Sequence, residues 1–358
     1  MPLPLWPPYA PMEAESVPEL PTGDQWQYEP KWDGFRCVCF RDGTRVELQS
    51  KSMKPLARYF PEVVAAVASM KPKRFALDGE LVIPIGASFS FDQLLQRIHP
   101  AESRILKLAS EYPARFIVFD ILVDARGKNL ARAPLSERRV ALEAFAAEHF
   151  LPEGLLSLSP ATTDRKATAR WAKRAGTSLD GIVAKRLDLD YRTGERDGMV
   201  KVKRMKTADC VVGGFRYAAK RLADGRPAAG SLLLGLYNDQ GLLDHVGFIA
   251  LGKALGTGEL TAQLEKLSGK PGFTGQAPGG PSRWSTDRSS EWTPLKSRLV
   301  VEVQFDHFTG GRFRHGTKFL RWRPDKSPRQ CTLDQVARGG GSPLLLVEGG
   351  GAPRRSRR

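Results

Sequence analysis

Hydrophobic and polar positions in residues 25–205 follow two different periods, which predict both strands and helices. A β-hairpin comes first, because residues 35–41 and 44–49 alternate on either side of the turn residues Asp42 and Gly43. Further strands are predicted at 74–83, 114–123, 179–186 and 199–204. Helices are predicted at 58–70, 90–98, 134–149 and 164–175. This region therefore predicts a mixed α and β domain.

The pattern changes after residue 205, where short apolar segments are separated by Gly and Asp turns. Strands are predicted at 208–217, 229–238, 242–251 and 298–307. One helix is predicted at 256–267, followed by a loop rich in Gly and Pro at 269–281. Many short strands with few helices favour a small β-barrel.

The two ends of the chain lack this periodicity. Residues 1–24 contain seven prolines and predict an extended N-terminal arm. Residues 331–358 are rich in Gly, end in a basic cluster and predict a disordered tail. We therefore predict an arm at 1–24, a first domain at 25–205, a second domain at 206–330 and a tail at 331–358.

The charge of the chain favours polyanionic partners. Its 358 residues include 55 Lys and Arg against 39 Asp and Glu, a net charge of +16. Residues 201–226 and 310–330 each carry a net charge of +6 and bracket the second domain. Such stretches bind phosphates, although a merely solvated surface is the alternative.

No apolar run has membrane-spanning length and the N-terminus does not resemble a signal peptide, so we expect a cytoplasmic, nucleoid-associated protein without membrane contact.

Candidate chemistry begins with the segment EPKWDGFR, which places Lys31 between a predicted strand and an Asp-Gly turn. A lysine amine is nucleophilic only when deprotonated, and burial or neighbouring cations lower its pKa. Such an amine could attack a phosphorus atom or a carbonyl carbon. An exposed lysine in a turn is the alternative, and this segment alone does not decide between them.

Four other segments add the groups that nucleotidyl transfer to a lysine requires. Glu80 and Asp180 lie in apolar strands and supply carboxylates for a divalent metal ion. Phe119 lies in a buried strand and offers an aromatic surface to a base. Lys201 and Lys203 are two apart in a strand, so both face the same side and can bind phosphates.

These segments, in this order, resemble the covalent nucleotidyltransferase superfamily of ATP-dependent DNA ligases and mRNA capping enzymes. The resemblance covers residues 6–330, and the compact layout is similar to bacterial C-type ATP-dependent DNA ligases. It implies an α+β fold, with an N-terminal adenylation (nucleotidyltransferase) domain of antiparallel sheets with flanking helices. A C-terminal OB-fold β-barrel is expected to follow.

The resemblance also implies roles for individual residues. Lys31 would be the nucleophile that becomes linked to AMP. Glu29 would contact the adenine amino group, and Phe119 would stack on the adenine. Arg36 and Glu80 would contact the ribose.

The remaining implied roles concern phosphates and metal. Lys201 and Lys203 would hold the α-phosphate, with Arg196 nearby. Glu80 and Asp180 would serve a Mg²⁺ site. The pyrophosphate would be covered during self-adenylation by residues near the end of the second domain, namely Arg323, Asp325 and Lys326.

Three positions depart from the family pattern. Lys51 replaces an arginine and keeps the charge but loses the fork that grips two oxygens. Asp180 replaces a glutamate and is one methylene shorter, and Met199 replaces a tryptophan. Both Lys51 and Asp180 are compatible with the roles that the resemblance implies, which are nucleotide binding for Lys51 and metal binding for Asp180.

The resemblance implies an ATP-dependent DNA ligase that seals nicks between a 5′-phosphate and a 3′-hydroxyl in duplex DNA, in DNA repair. ATP and Mg²⁺ would be its cofactors, and a monomer assisted by an unidentified repair partner is expected. Two alternatives stay open at this point. One is an RNA ligase or capping-type nucleotidyltransferase, and the other is a non-catalytic nucleic-acid-binding module.

Overall fold

The computed structural model describes residues 2–175, 179–222, 224–252, 257–279, 291–336 and 341–348. The chain divides into two compact units. The first unit consists of residues 1–204 with 338–358, and the second consists of residues 205–337.

The described strands are β1 Glu15–Ser16, β2 Trp26–Lys31, β3 Phe35–Asp42, β4 Arg45–Ser50, β5 Arg74–Val82, β6 Pro84–Ile85, β7 Ser88–Phe89, β8 Arg115–Val123, β9 Leu156–Leu158, β10 Gly181–Arg186, β11 Met199–Lys203, β12 Lys206–Tyr217, β13 Ala229–Tyr237, β14 Leu243–Ala250, β15 Thr293–Pro294, β16 Val300–Phe305, β17 Phe308–Thr309, β18 Arg312–Phe313 and β19 Lys318–Trp322. The described α-helices are α1 Pro61–Ser69, α2 Phe91–Arg97, α3 Glu102–Glu111, α4 Leu135–His149, α5 Thr168–Ala175, α6 Gly258–Lys266 and α7 Leu344–Glu348.

Two large sheets form most of the first unit, together with the short two-stranded sheet β6-β7. One has the order β4-β3-β5-β8-β9, and its central strands β5 and β8 are almost entirely buried. The other has the order β1-β11-β10-β2. All pairs are antiparallel except β1 with β11 and β8 with β9. The predicted mixture of antiparallel sheets and helices is thereby confirmed for this unit.

Helices α1 and α4 cover the larger sheet because each presents apolar residues at helical spacing. Val63 and Val67 of α1, and Leu142 and Phe145 of α4, are buried in the same core as Phe116 of β8. Burying a side chain of this size stabilises a fold by about 1.5–3 kcal/mol. The packing fixes the larger sheet, which carries several of the predicted site residues.

The N-terminal arm packs closely against the rest of the first unit. Leu3 and Met12 are buried in one cluster with Phe40 of β3. The backbone of Tyr9 exchanges two hydrogen bonds with the Gln49 side chain, at 2.8 and 2.6 Å. The arm then enters β1, which pairs with β11.

The second unit is built on a sheet of order β14-β13-β12-β16-β19, with β15 added beside β12. A single bridge joins Ile249 of β14 to Thr317, just before β19, so the two edges of the sheet approach each other. The Thr317 hydroxyl also donates a hydrogen bond to the carbonyl of Phe248, at 2.9 Å. The strands enclose one apolar core, as expected for a small barrel.

Some predicted helices differ from the observed ones. The helix predicted at 58–70 begins later, at Pro61, after a 3-10 turn, because proline is favoured in the first turn of a helix and not inside one. Helix α3 was not predicted, since only Ile105, Leu108 and Ala109 of its ten residues are buried. The helix predicted at 164–175 begins with a 3-10 turn at Arg165–Ala167, which Asp164 caps by accepting a hydrogen bond from the Lys166 amide, at 2.8 Å.

The prediction of a disordered tail is wrong for the described residues 331–336 and 341–348. Cys331 is fully buried in the core of the second unit. Leu346 of α7 is buried in the first unit with Trp32 and Leu179. The apolar segment that forms α7 is thus held by packing that a Gly-rich composition does not reveal. None of the described helices combines the length and apolar character needed to cross a membrane.

His245 of β14 makes the stability of the second unit depend on pH. Its ring is 6% exposed and lies edge-on to Phe273, with 5.2 Å between ring centroids. Burial, followed by the charges of Arg312 and Arg216, lowers the pKa of His245 to about 4. The unfolded chain therefore takes up a proton at higher pH than the folded protein does.

The free energy of unfolding should accordingly have its full value above about pH 6.5. It should decrease by about 3 kcal/mol in total as the pH drops toward about 4 and His245 is protonated. A His245→Phe variant keeps an aromatic ring and removes the titration. Urea unfolding of both proteins between those pH values should show a loss for the wild type that the variant lacks. Parallel pH dependences of the two proteins would contradict the assignment to His245.

Candidate active site

Lys31 is the last residue of β2, and two glycines determine how closely other strands approach it. Gly181 of β10 lies directly opposite Lys31 and has a φ of 152°, which favours glycine. A Cβ atom at Gly181 would lie 2.1 Å from the carbonyl oxygen of Val202. A Cβ atom at Gly34 would lie 2.2 Å from the carbonyl oxygen of Leu81. Both glycines follow an aspartate in the sequence, and both allow strands to close around the lysine.

The Lys31 amine donates a hydrogen bond to the Asp180 carboxylate and forms an ion pair with it. Burial acts to lower the pKa of Lys31, but the charge and hydrogen bond of Asp180 outweigh it, helped by Glu80 and Asp33. The pKa is raised as a result. The change is opposite to the lowering of the pKa that makes a lysine amine nucleophilic at neutral pH. Lys31 is protonated at neutral pH, and it must lose that proton before it can attack.

Four of the predicted residues share one face of the smaller sheet. Glu29 lies opposite Val183, which in turn lies opposite Lys201. In the same way, Gly181 lies opposite Lys31 on one neighbouring strand and opposite Lys203 on the other. Since directly opposed residues project to the same side, Glu29, Lys31, Lys201 and Lys203 all belong to this face. Three of the four line a pocket there, and Lys203 does not.

Positive charge concentrates in this pocket. The pKa of Lys201 is lowered first by burial and then by neighbouring cations. These cations are Lys31, Lys51, Lys203 and Arg196. Lys51 lines the pocket, whereas Arg196 does not line it and is largely exposed. Such a group of cations suits a polyphosphate.

Phe119 also lines the pocket, and two cations lie against its ring. The Arg36 guanidinium carbon is 4.6 Å and the Lys185 amine 4.5 Å from the ring centroid. Lys185 is also 2.8 Å from the Glu29 carboxylate in a buried ion pair. Gln27 donates a further hydrogen bond to Glu29, at 2.8 Å. The predicted adenine-binding residues are thereby held in fixed positions.

Arg36 is fixed by Asp78 on the larger sheet. Its Nε and Nη2 atoms each donate a 2.6 Å hydrogen bond to Asp78, which also accepts one from the Tyr191 hydroxyl, at 2.5 Å. Burial acts to lower the pKa of Arg36, but Asp78 outweighs it and the pKa is raised. Paired in this way, Arg36 lines the pocket as a rigid wall beside Phe119.

Glu80 lies opposite Arg36 in the larger sheet and lines the same pocket. Burial raises the pKa of Glu80 to about 7, although the charges of Arg36 and Lys31 oppose the shift. The carboxyl group is therefore about half protonated at neutral pH. A bound divalent cation would favour its ionised form.

Glu80 and Asp180 are the two carboxylates predicted to hold Mg²⁺, and both interact with Lys31. In the described part of the chain, no group of three or more His, Cys, Asp or Glu residues is arranged to hold a metal ion. Mg²⁺ commonly uses one or two carboxylates, with substrate phosphates and waters completing its shell. The two carboxylates fit a site of that kind.

The predicted residues of the second unit form a separate cluster around Asp209. Arg323 lies 2.8 Å and Lys326 lies 2.7 Å from the two Asp209 carboxylate oxygens. Asp325 accepts hydrogen bonds from Arg323 at 2.8 and 2.9 Å. All three residues predicted to cover the pyrophosphate thus share one ion-pair network, and its centre, Asp209, was not predicted.

Sequence reasoning also missed residues of the pocket in the first unit. Lys185 ends the segment DGIVAK, and the pairing of β10 with β2 could have placed it beside Glu29. Glu13 lines the pocket from the N-terminal arm. That arm has no periodicity, so no signal in the sequence places Glu13 there. Trp32 and Met199 complete the apolar wall.

Comparison with known proteins gives two family matches along the chain. Residues 11–203 match the ATP dependent DNA ligase domain, and residues 225–326 match the ATP dependent DNA ligase C terminal region. The first match alone contains Lys31 and the whole pocket around it.

Two curated relatives are similar over almost their whole length. DNA ligase C2 of Mycolicibacterium smegmatis is 44% identical, over 94% of this chain and 96% of the relative. DNA ligase C of Mycobacterium tuberculosis is 41% identical over the same shares. A solved structure, described as "DNA binding with a minimal scaffold: Structure-function analysis of Lig E DNA ligases", has a TM-score of 0.51. It is 17% identical and covers 88% of this chain and 99% of its own. The expected α+β fold class is confirmed by this likeness.

Proposed function

The chain belongs to the family of ATP-dependent DNA ligases, and from this premise we propose that Lys31 carries AMP between ATP and a DNA nick. The observation that supports this most directly is the position of the Lys31 amine. It lies in a pocket with an aromatic ring, Phe119, and with further cations, and it is held by the buried Asp180. A nucleophile held among phosphate-binding cations is what transfer of a nucleotidyl group requires.

The first step transfers AMP to the protein. The Lys31 nitrogen attacks the α-phosphorus of ATP, a P–N bond forms, and the bond from this phosphorus to the bridging oxygen breaks. Pyrophosphate leaves. The Lys31 ammonium group releases one proton to solvent before the attack, and the nitrogen releases a second one to solvent as the P–N bond forms. We assign Asp180 to holding the amine in line for this attack, and Lys201 to the negative charge on the α-phosphate. Mg²⁺ held by Glu80 and Asp180 would supply further charge neutralisation when bound.

Two further steps join the strands. An oxygen of the 5′-phosphate attacks the phosphorus of the bound AMP, and the P–N bond to Lys31 breaks. The 3′-hydroxyl then attacks the activated 5′-phosphate, a phosphodiester forms, and AMP leaves with the electrons of the broken bond. Each step is a phosphoryl transfer, so the protein mainly positions groups and neutralises charge.

Labelling tests the proposal. The protein is first treated with pyrophosphate to remove any AMP that it carries, then mixed with Mg²⁺ and ATP labelled at the α-phosphate, and denatured. Label that stays on the protein, and that moves to nicked DNA in a second incubation, is expected. A protein without label after this treatment would contradict the covalent step and favour the non-catalytic binding module.

Substrate trials address the other alternative. Nicked duplexes with DNA or RNA strands, and ATP against GTP, are compared at equal concentrations. We expect sealing with DNA and ATP. Preference for RNA nicks or for GTP would instead indicate an RNA ligase or capping-type activity.

Lys326 is proposed to act on the leaving pyrophosphate and not on the nick. Its substitution by alanine should lower self-adenylation by roughly 100-fold, as loss of one preorganised charge contact commonly does. Sealing of a nick that already carries AMP should change much less. Lys266→Ala, which removes an exposed lysine of α6 outside the two basic stretches, is the control. Equal losses in both assays would argue against a role confined to the first step.

A further inference from the structure

The N-terminal arm brings one carboxylate into the pocket, where the predicted site has mainly cations. Glu13 lies 3.1 Å from the Lys51 amine and 3.2 Å from the Arg196 guanidinium. Glu13 and Lys51 both line the pocket. The two basic residues are among those expected to bind phosphates of the nucleotide. The Glu13 carboxylate is therefore ion-paired with the two cations that a bound phosphate would need.

The backbone on both sides of Glu13 is anchored. The Glu13 amide donates a hydrogen bond to the carbonyl of Glu195, at 2.8 Å. The Met12 amide donates one to the Tyr191 hydroxyl, at 3.0 Å. Two residues further on, Glu15 pairs with Val200 as β1 meets β11. The carboxylate therefore stays near the pocket even when its ion pairs are broken.

The ion pairs themselves are easily exchanged. The side chains of Lys51 and Arg196 are 56% and 70% exposed, and ion pairs in such surroundings contribute about 1 kcal/mol or less. A triphosphate carries several charges and can displace a single carboxylate from both cations. After that exchange the carboxylate lies close to the phosphates and repels them.

We propose that Glu13 is an anionic placeholder, which occupies Lys51 and Arg196 in the free protein and weakens the binding of ATP through the phosphate charges. The inference rests on the proposed function, because it takes ATP as the ligand of this pocket. Its role is to set the affinity for nucleotide phosphates and to favour their release. Glu13 takes no part in bond formation and acts through the cations that it occupies.

Binding measurements on full-length protein test the placeholder. Lys31→Ala serves as the parent, so that ATP binds without reacting, and EDTA removes divalent cations. Glu13→Gln in this parent should lower the Kd for ATP by roughly three- to tenfold. The Kd for adenosine, which has no phosphates, should stay the same. Glu15→Gln removes an equal charge from the neighbouring exposed position and should change neither value.

Each other outcome overturns the placeholder. An unchanged Kd for ATP means that Glu13 does not compete with phosphates. Weaker binding of both ATP and adenosine indicates a purely structural role in the arm. When the measurement is repeated with Mg²⁺ in place of EDTA, weaker binding of ATP by Glu13→Gln that appears only then indicates a metal ligand. Failure of the proposed function looks different, because the parent then binds no ATP and the wild type forms no labelled adduct.

Discussion

Replacing Lys31 with alanine is expected to abolish the covalent protein–AMP adduct and to lower ATP-dependent nick sealing by about four orders of magnitude or more, as loss of a covalent nucleophile does in other enzymes. The reason is chemical, because the variant lacks the amine that Asp180 holds in the pocket. Sealing of a nick that already carries AMP does not use the lysine as a nucleophile. That activity should therefore persist in the variant, although reduced by the changed pocket.

Two further variants separate chemistry from folding. In Lys31→Ala, the Asp180 carboxylate loses its ion pair with the Lys31 amine. Because the Asp180 side chain is only 4% exposed, this unpaired charge lowers the stability of the variant. Lys31→Arg keeps a positive charge beside Asp180 and should fold normally, yet it should form no adduct, because a guanidinium does not lose its proton. Lys107→Ala removes an exposed lysine of α3 and should leave labelling unchanged. Adduct formation by Lys31→Arg at the wild-type rate would show that another residue is the nucleophile.

The second large effect is expected at Asp180. Asp180→Asn should slow self-adenylation by roughly 100-fold, since it removes the charge that orients the amine and one of the two proposed magnesium ligands. At the same time it should lower the pKa of Lys31, because Asp180 is what raises that pKa against the effect of burial. A larger fraction of the amine is then deprotonated at neutral pH, so the slower reaction would not be due to protonation.

The pH dependence distinguishes these two effects. Self-adenylation is measured at saturating ATP over about four pH units above neutrality. Since the pKa of Lys31 falls in the variant, its rate should reach a plateau at lower pH than that of the wild type. Asp188→Asn, which removes an exposed carboxylate paired with Arg186, is the matched control. A plateau that moves to higher pH in Asp180→Asn would refute the assignment of the raised pKa to Asp180.

Local sequence patterns were sufficient for most elements of the first unit. The strands that carry Lys31, Glu80, Phe119 and Lys201 are marked in the sequence by short stretches of apolar residues. The Asp-Gly pairs at 33–34 and 180–181 contain the two glycines at which a Cβ atom would clash with the backbone of a neighbouring strand. These features act over a few residues, so the sequence displays them directly. Helices α3 and α7 were missed because each is defined by a few apolar contacts with distant segments.

The charge state of the site could not be predicted in the same way. The sequence left the direction of the pKa shift of Lys31 open, and in the structure the pKa is raised, because Asp180 lies against the amine although 149 residues separate them along the chain. Burial raises the pKa of Glu80 to about 7, which a carboxylate in a strand sequence does not indicate. Both values depend on which charges lie nearby in space.

The sequence alone predicted Lys31 as the candidate nucleophile, the order of the motifs and the alternation that places Lys201 and Lys203 on one face, because each is a property of neighbouring residues. Only the tertiary structure decided which groups neutralise one another. It placed Glu13 of the arm on Lys51 and Arg196, Lys185 on Glu29, and Asp209 on Arg323 and Lys326. Ion pairs require proximity in space and carry no periodic signal along the chain. The pairs that set the reactivity of this protein therefore arise from strand pairing and packing, which bring distant segments together.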